Sequence, residues 1–293
     1  MIGHEKIISV FKGLANSGRL SHGYIFYGPE GTGKKTFASS LANFLEKGVF
    51  HKPGILIDSI LISPNAEGSI GIDESRRLKE FLFMKPNASS RRTAIIDKAE
   101  KMTPEAQNAV LKIAEEPPAS SLIIIVIKEP ELLLPTLLSR FQKIYFPPLK
   151  ESDVKTWLTE ELGLRPAKAA ELAKRSFGSP GVCYALTHDE KFKKLIRQAE
   201  TFLSAPTASL KGFLKDMIDE DDFNFVDFMD ALIFCLPSQI LGGKTWEGEA
   251  GSALRVESRF NFWHAVLELR RRLEFANLNP RIQLINLSLM ARK

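Results

Sequence analysis

Residues 28–34 read Gly-Pro-Glu-Gly-Thr-Gly-Lys, preceded by the short apolar run 24–27 and followed by a segment of helical period to about residue 46. Gly28, Gly31 and Gly33 let the backbone turn tightly, so that N–H groups at the start of the helix face a common point. Lys34 adds a positive charge for the outer phosphates of a ligand. The GxxxxGK pattern carries this chemistry only between a strand and a helix, and that context is present. The chain must therefore build at least one strand–loop–helix unit around an anion.

The rest of the first half continues the alternation. The spacing predicts helices over 7–17, 73–83 and 103–114, the last with Thr103 as N-cap and Pro104 at the first helical position. Strands are expected over 55–62, 93–96, 122–127 and 143–146, and a short helix over 132–138. The run 122–127 is apolar throughout, as in a strand covered on both faces. Alternating strands and helices argue for a parallel α/β sheet. Pro147-Pro148 ends the series. Beyond it strand signals fade: short helices are expected over 151–162, 166–175 and 180–186, then longer ones, including 260–275 and 281–290. Loops are expected at 205–207 and 242–251. The expected division is an α/β domain over 1–148, a small helical lid over 149–188 and an all-α domain over 189–293.

Composition narrows the class. No purely apolar run exceeds six residues, the length of 122–127, against about 20 for a membrane helix. No charged start followed by an apolar stretch and a small-residue cleavage site is visible, so a cytoplasmic location without membrane contact is expected. Cys183 and Cys235 are isolated, which removes a disulfide framework and a CxxC zinc site. The net charge is +5, of which +4 falls in residues 1–148. This permits contact with a polyanion without demonstrating it.

The residue after Lys34 should be Ser or Thr to hold Mg²⁺; it is Lys35. Thr36 comes one position late, rotated about 100° around the helix. The loop could hold ATP, ADP or a bare anion, while the magnesium site has lost its hydroxyl. Asp97, closing the 93–96 strand, is the carboxylate expected to reach the same ion.

Several ordered segments carry a resemblance. Residues 21–26, Ser-His-Gly-Tyr-Ile-Phe, are similar to "SHAYLF"; 69–78 to "SIGID…R.L"; 99–118 to "AE.MT..A.NALLK.LEEPP"; 134–141 to "LLPTILSRC"; and Asn279-Pro280 to the "NP" before a last helix. With the phosphate loop, they resemble the AAA+ clamp-loader subunits of bacterial DNA polymerase III, the delta-prime type most closely. The strong motifs cover 21–148.

The resemblance implies an AAA+ α/β domain, a small helical domain and a helical collar. It implies a hetero-pentamer with gamma/tau ATPase subunits and a delta subunit, loading a sliding clamp onto primed DNA. It implies that Arg140, with Ser139, projects into a neighbour's nucleotide site, where a permanent planar charge suits a phosphate in transfer. Departures accompany it. No cysteines stand where the family's zinc module would be inserted, so no zinc is expected. Lys98 stands where a hydrolysing relative has an acid, Ile127-Lys128 replaces the polar sensor, and Val182 replaces the second sensor arginine. Phe141 stands for cysteine. Together these imply a subunit that does not hydrolyse ATP. Two alternatives stay open: an active gamma/tau-like ATPase using Lys34 and Asp97, and a stand-alone DNA-binding regulator. Arg76, Arg77, Arg91 and Arg92 are candidate DNA-backbone contacts, with a solvated surface as the plain alternative. The 20 Phe against 4 Tyr favour apolar packing over base stacking.

Overall fold

The computed structural model describes residues 2–51, 54–241, 256–273 and 278–290. The loop expected at 242–251, and Phe275 at the end of the helix expected over 260–275, lie outside them. The chain falls into two compact units, Met1–Cys183 and Tyr184–Lys293.

The first unit is built on five parallel strands: β1 (Gly23–Tyr27), β2 (Ser59–Ile62), β3 (Arg92–Ile96), β4 (Ser121–Val126) and β5 (Gln142–Tyr145). Their order is β2-β3-β4-β1-β5. Helices cover both faces. Alternate residues of β1 show why: Ile25 packs with Leu78, Val110 and Leu137 of α3 (Ile72–Phe83), α4 (Pro104–Glu115) and α5 (Pro135–Leu138). Phe26 points the other way, on to Phe11 and Phe37 of α1 (Glu5–Asn16) and α2 (Lys34–Lys47). Every residue of β3 and β4 is buried, so these central strands need no polar alternation.

The helix ends follow from local chemistry. The Thr103 hydroxyl accepts the Ala106 N–H at the start of α4, with Pro104 next. The Glu74 carboxylate accepts the Gly71 N–H before α3. Gly48, at φ 73°, closes α2.

Two expectations are corrected. The strand expected over 55–62 is only Ser59–Ile62. The N–H groups of Ile57 and Asp58 donate to the Glu46 carboxylate of α2 instead of to a strand, and Ile55 is 91% exposed. The helix expected over 132–138 is broken into a 3-10 turn, Pro130–Leu132, and the single turn of α5. Pro135 restricts Leu134 to an extended conformation between them.

Helices α6 (Glu151–Glu160) and α7 (Pro166–Arg175) pack on each other within the first unit. The following helix, α8 (Pro180–His188), crosses the unit boundary. Gly23 makes a further contact that matters below. A side chain there would collide with the ring of Phe141, which fills the space over the start of β1.

The second unit contains α9 (Glu190–Ser204), α10 (Thr207–Ile218), α11 (Phe225–Leu241), α12 (Val256–Arg272) and α13 (Pro280–Met290). One core joins them, including Phe202, Phe228 and Phe262. Phe202 and Phe228 meet edge to face at 6.0 Å. The apolar face of α12, Phe262, Val266 and Leu269, is buried in this same core. Among the described residues, no helix is long and apolar enough to cross a membrane.

A phosphate-type loop closed by ion pairs

The loop leaves β1 at Gly28, whose φ of 130° suits glycine and whose missing side chain makes room for the Phe146 carbonyl. Gly31 and Gly33 also have positive φ, 75° and 93°. The loop then enters α2 at Lys34, as its sequence requires.

Lys34 is 6% exposed, and its ammonium donates to the carbonyls of Gly28 and Pro29, both at 2.6 Å. Burial pulls its pKa down to about 8, against the opposing charges of Glu30 and Glu100. Lys35 Nζ lies 2.8 Å from Asp97 Oδ2. Thr36 is exposed, so it does not replace the missing hydroxyl. Lys128 Nζ lies 2.6 Å from Glu30 Oε2. Burial alone would raise the Glu30 carboxyl, but the Lys128 charge and hydrogen bond outweigh it and hold it below the usual carboxylate range.

Other contacts close the loop from outside. His4 Nε2 lies 2.9 Å from the Thr32 carbonyl, so this nitrogen carries the proton. The Ser179 hydroxyl donates to the Glu30 carbonyl at 2.9 Å, and the Gly181 N–H to the Gly31 carbonyl at 2.9 Å. The start of α8 thus rests on the loop. Of these residues, Glu30 lies inside the loop motif that the sequence shows. His4 and Ser179 carry no local signal.

Magnesium does not fit this arrangement. The hydroxyl ligand is missing, and an ammonium already contacts the carboxylate that would reach the ion. Lys98, exposed and at φ 53°, supplies no base. Glu100, two residues on, is raised by burial, and its Oε2 has no hydrogen-bond partner. Val182 sits beside Gly31 with no charge to offer.

Arg140 follows α5. Its guanidinium bonds Glu115 Oε1 at 2.9 Å and the Thr136 carbonyl at 2.9 Å, both outside the phosphate loop. The Ser139 hydroxyl donates to the same carbonyl at 3.0 Å. Arg76 and Arg77 are exposed on α3, Arg76 paired with Asp73 at 2.9 Å.

Arg91 and Arg92 correct the sequence expectation. Arg92 is 6% exposed; it meets Asp58 at 3.3 Å and donates to the Lys85 and Ile57 carbonyls. Arg91 donates to the carbonyls of Leu20, Ser21 and Ser121. Both are engaged in joining the sheet to its loops; Arg92 is buried there, while Arg91 is half-buried. Spacing alone could not distinguish them from surface arginines, because the acceptors are backbone groups distant in sequence.

The family described as DNA polymerase III, delta subunit, matches residues 3–150. The chain belongs to this family. The gamma/tau subunit of DNA polymerase III from Mycobacterium tuberculosis is 36% identical over 154 residues, 48% of this chain and 27% of that protein. The delta' subunit from Pseudomonas aeruginosa is 30% identical over 186 residues, 57% of this chain and 56% of that protein. This chain therefore spans about a quarter to about half of these relatives' lengths. A gamma subunit-related protein from Thermotoga maritima shares the fold, with TM-score 0.59 and 24% identity over 96% of this chain and 98% of that one. The family match bears out the sequence resemblance to clamp-loader AAA+ subunits. The architecture, a parallel sheet with helices on both faces followed by helices alone, is the one that resemblance implied.

Proposed function

We propose that this chain is a delta-prime-type subunit of a DNA polymerase III clamp loader, one that does not hydrolyse ATP itself. It would stand beside gamma/tau ATPase subunits and a delta subunit in a hetero-pentamer. Arg140, with Ser139 beside it, would reach a neighbour's ATP. The assembled complex would place a sliding clamp on primed DNA. The observation that carries this reading is the Lys35–Asp97 ion pair, at 2.8 Å, in a chain that keeps Arg140. The groups for hydrolysis in cis are displaced, while the group for action in trans remains. Gly28, Gly31, Gly33 and Lys34 would then serve as a remnant loop able to hold a nucleotide or anion at most.

The parts divide the work. Residues 149–188 act as a lid on the loop, and residues 189–293 as the collar that joins subunits. Helix α13 leaves Ile282 and Leu289 exposed, seven residues apart on one face, which suits a subunit contact. The test is reconstitution with the ATPase subunits. Arg140→Ala should assemble normally and lower the ATPase rate of the complex; an unchanged rate removes the role in trans. The rival reading, a slow ATPase using Lys34 and Asp97, is favoured if the purified chain hydrolyses ATP with magnesium and Lys34→Ala abolishes it.

A further inference from the structure

In a site of this layout a divalent ion is held by a hydroxyl on the residue after the loop lysine and by a carboxylate on the neighbouring strand. Here that residue is Lys35, the second residue of α2, and its ammonium reaches the carboxylate of Asp97 directly, at 2.8 Å. The Asp97 side chain is 12% exposed, so its charge needs a counter-ion within the fold. The Asp97 N–H is fixed on the Ile62 carbonyl, which holds the carboxylate at the end of β3. We infer that Lys35 is a tethered cation occupying the role of the metal, and that a nucleoside polyphosphate taken by this loop binds without a divalent ion.

Three features of the site support this. Magnesium demands six oxygens at about 2.1 Å in near-ideal octahedral order. Lys35 removes one protein oxygen and places a competing cation against another. The nearest alternative hydroxyl on α2, Thr36, is exposed to solvent on a different side of the helix. The second acid of the loop, Glu30, is likewise matched by an ammonium, that of Lys128 at 2.6 Å. Two lysines thus balance two carboxylates around the loop with no call for a divalent charge. This inference rests on the loop geometry alone and is independent of the role proposed for Arg140.

The test uses ADP as probe on the purified full chain, titrated by calorimetry in Mn²⁺ or in EDTA, with bound Mn²⁺ read by electron paramagnetic resonance. Wild type should give the same measurable ADP affinity in both conditions and no bound Mn²⁺; an affinity undetectable in both overturns metal-free binding by this loop. Lys35→Thr should bind ADP about tenfold or more tightly in Mn²⁺ than in EDTA and hold the ion. Lys35→Ser serves as the second variant, and circular dichroism verifies the fold of each. Mn²⁺-dependent binding by wild type overturns the inference. So does a failure of both variants to gain Mn²⁺ dependence, because Lys35 would then not be what excludes the metal. Neither result bears on Arg140, which is read only in the reconstituted complex.

Discussion

The Arg140 guanidinium is held 2.9 Å from the Glu115 carboxylate, so the last residue of α4 fixes the direction of the side chain that follows α5. A guanidinium has five N–H donors. Bonds to Glu115 and Thr136 set its plane and leave donors for an incoming phosphate. The side chains are 35% and 46% exposed, and a pair this open contributes about 1 kcal/mol or less. Glu115→Ala should therefore leave the melting temperature of the isolated chain nearly unchanged. In the reconstituted loader it should lower ATPase severalfold, up to about tenfold, and less than Arg140→Ala. A rate equal to wild type in that assembly would show that Glu115 has no positioning role.

Arg92 and Asp58 predict the opposite pattern. Burial would raise the Asp58 carboxyl, but N–H groups of Asn87, Ala88 and Ser89 and the Arg92 charge hold it below its ordinary 3.8. Arg92→Ala removes the charge partner of that buried carboxylate and the hydrogen bonds to the Lys85 and Ile57 carbonyls, at a cost of about 3–5 kcal/mol in urea unfolding. The sign with pH follows from the lowered value. The Asp58 contribution is complete above its unfolded pKa of 3.8 and is lost as pH falls through the lower folded value. Asp58→Asn should remove that acid-sensitive increment.

The proposed DNA contact is tested at Arg76 and Arg77, both exposed on α3. Replacing both with alanine should change stability by less than about 0.5 kcal/mol. If they meet phosphates, the salt slope of primed-DNA binding by the loader falls by about 1 per contact. An unchanged slope would assign them to the solvated surface.

Lys34 gives a second pH signature. Its folded pKa is about 8 against 10.5 unfolded, so between these values the unfolded chain binds the additional proton and stability rises with pH. Below about 8 the penalty of burying the charge is fully present. In Lys34→Met that rise should be absent, so the difference in unfolding free energy should move in favour of wild type with increasing pH. Parallel profiles for the two chains would contradict the buried, charged state.

The lid contact is tested at Gly181. A Cβ there would lie 2.7 Å from the Gly31 Cα, too close for backbone to accommodate. Gly181→Ala should cost about 1–3 kcal/mol and raise amide hydrogen exchange at Gly31 and its neighbours. Unaltered protection would mean that the lid rests elsewhere.

Much of this was legible in the sequence. The glycine spacing, the burial of 122–127 and the Thr103-Pro104 helix start all depend on neighbours within a few residues, and each took its expected form. The ion pairs were not legible. Lys35 and Asp97 are 62 positions apart, and Glu30 and Lys128 nearly 100; only the parallel strand order brings each pair to one loop. Lys35 and Lys98 read alike as losses, yet one has a partner in Asp97 and the other is exposed at the end of β3. The intramolecular bonds of Arg91 and Arg92 were not legible for a related reason: their acceptors are backbone carbonyls, which carry no residue signature.

Gly23 and Phe141 occupy one shared volume, with the ring lying where a β-carbon on the strand would be. The related motifs "SHAYLF" and "LLPTILSRC" place alanine and cysteine at these two positions, a larger residue below and a smaller one above. The two departures are thus complementary, the ring filling the space that the missing side chain leaves. Moving either residue alone between such chains would leave a collision or a void next to the arginine; moving both would leave its setting intact.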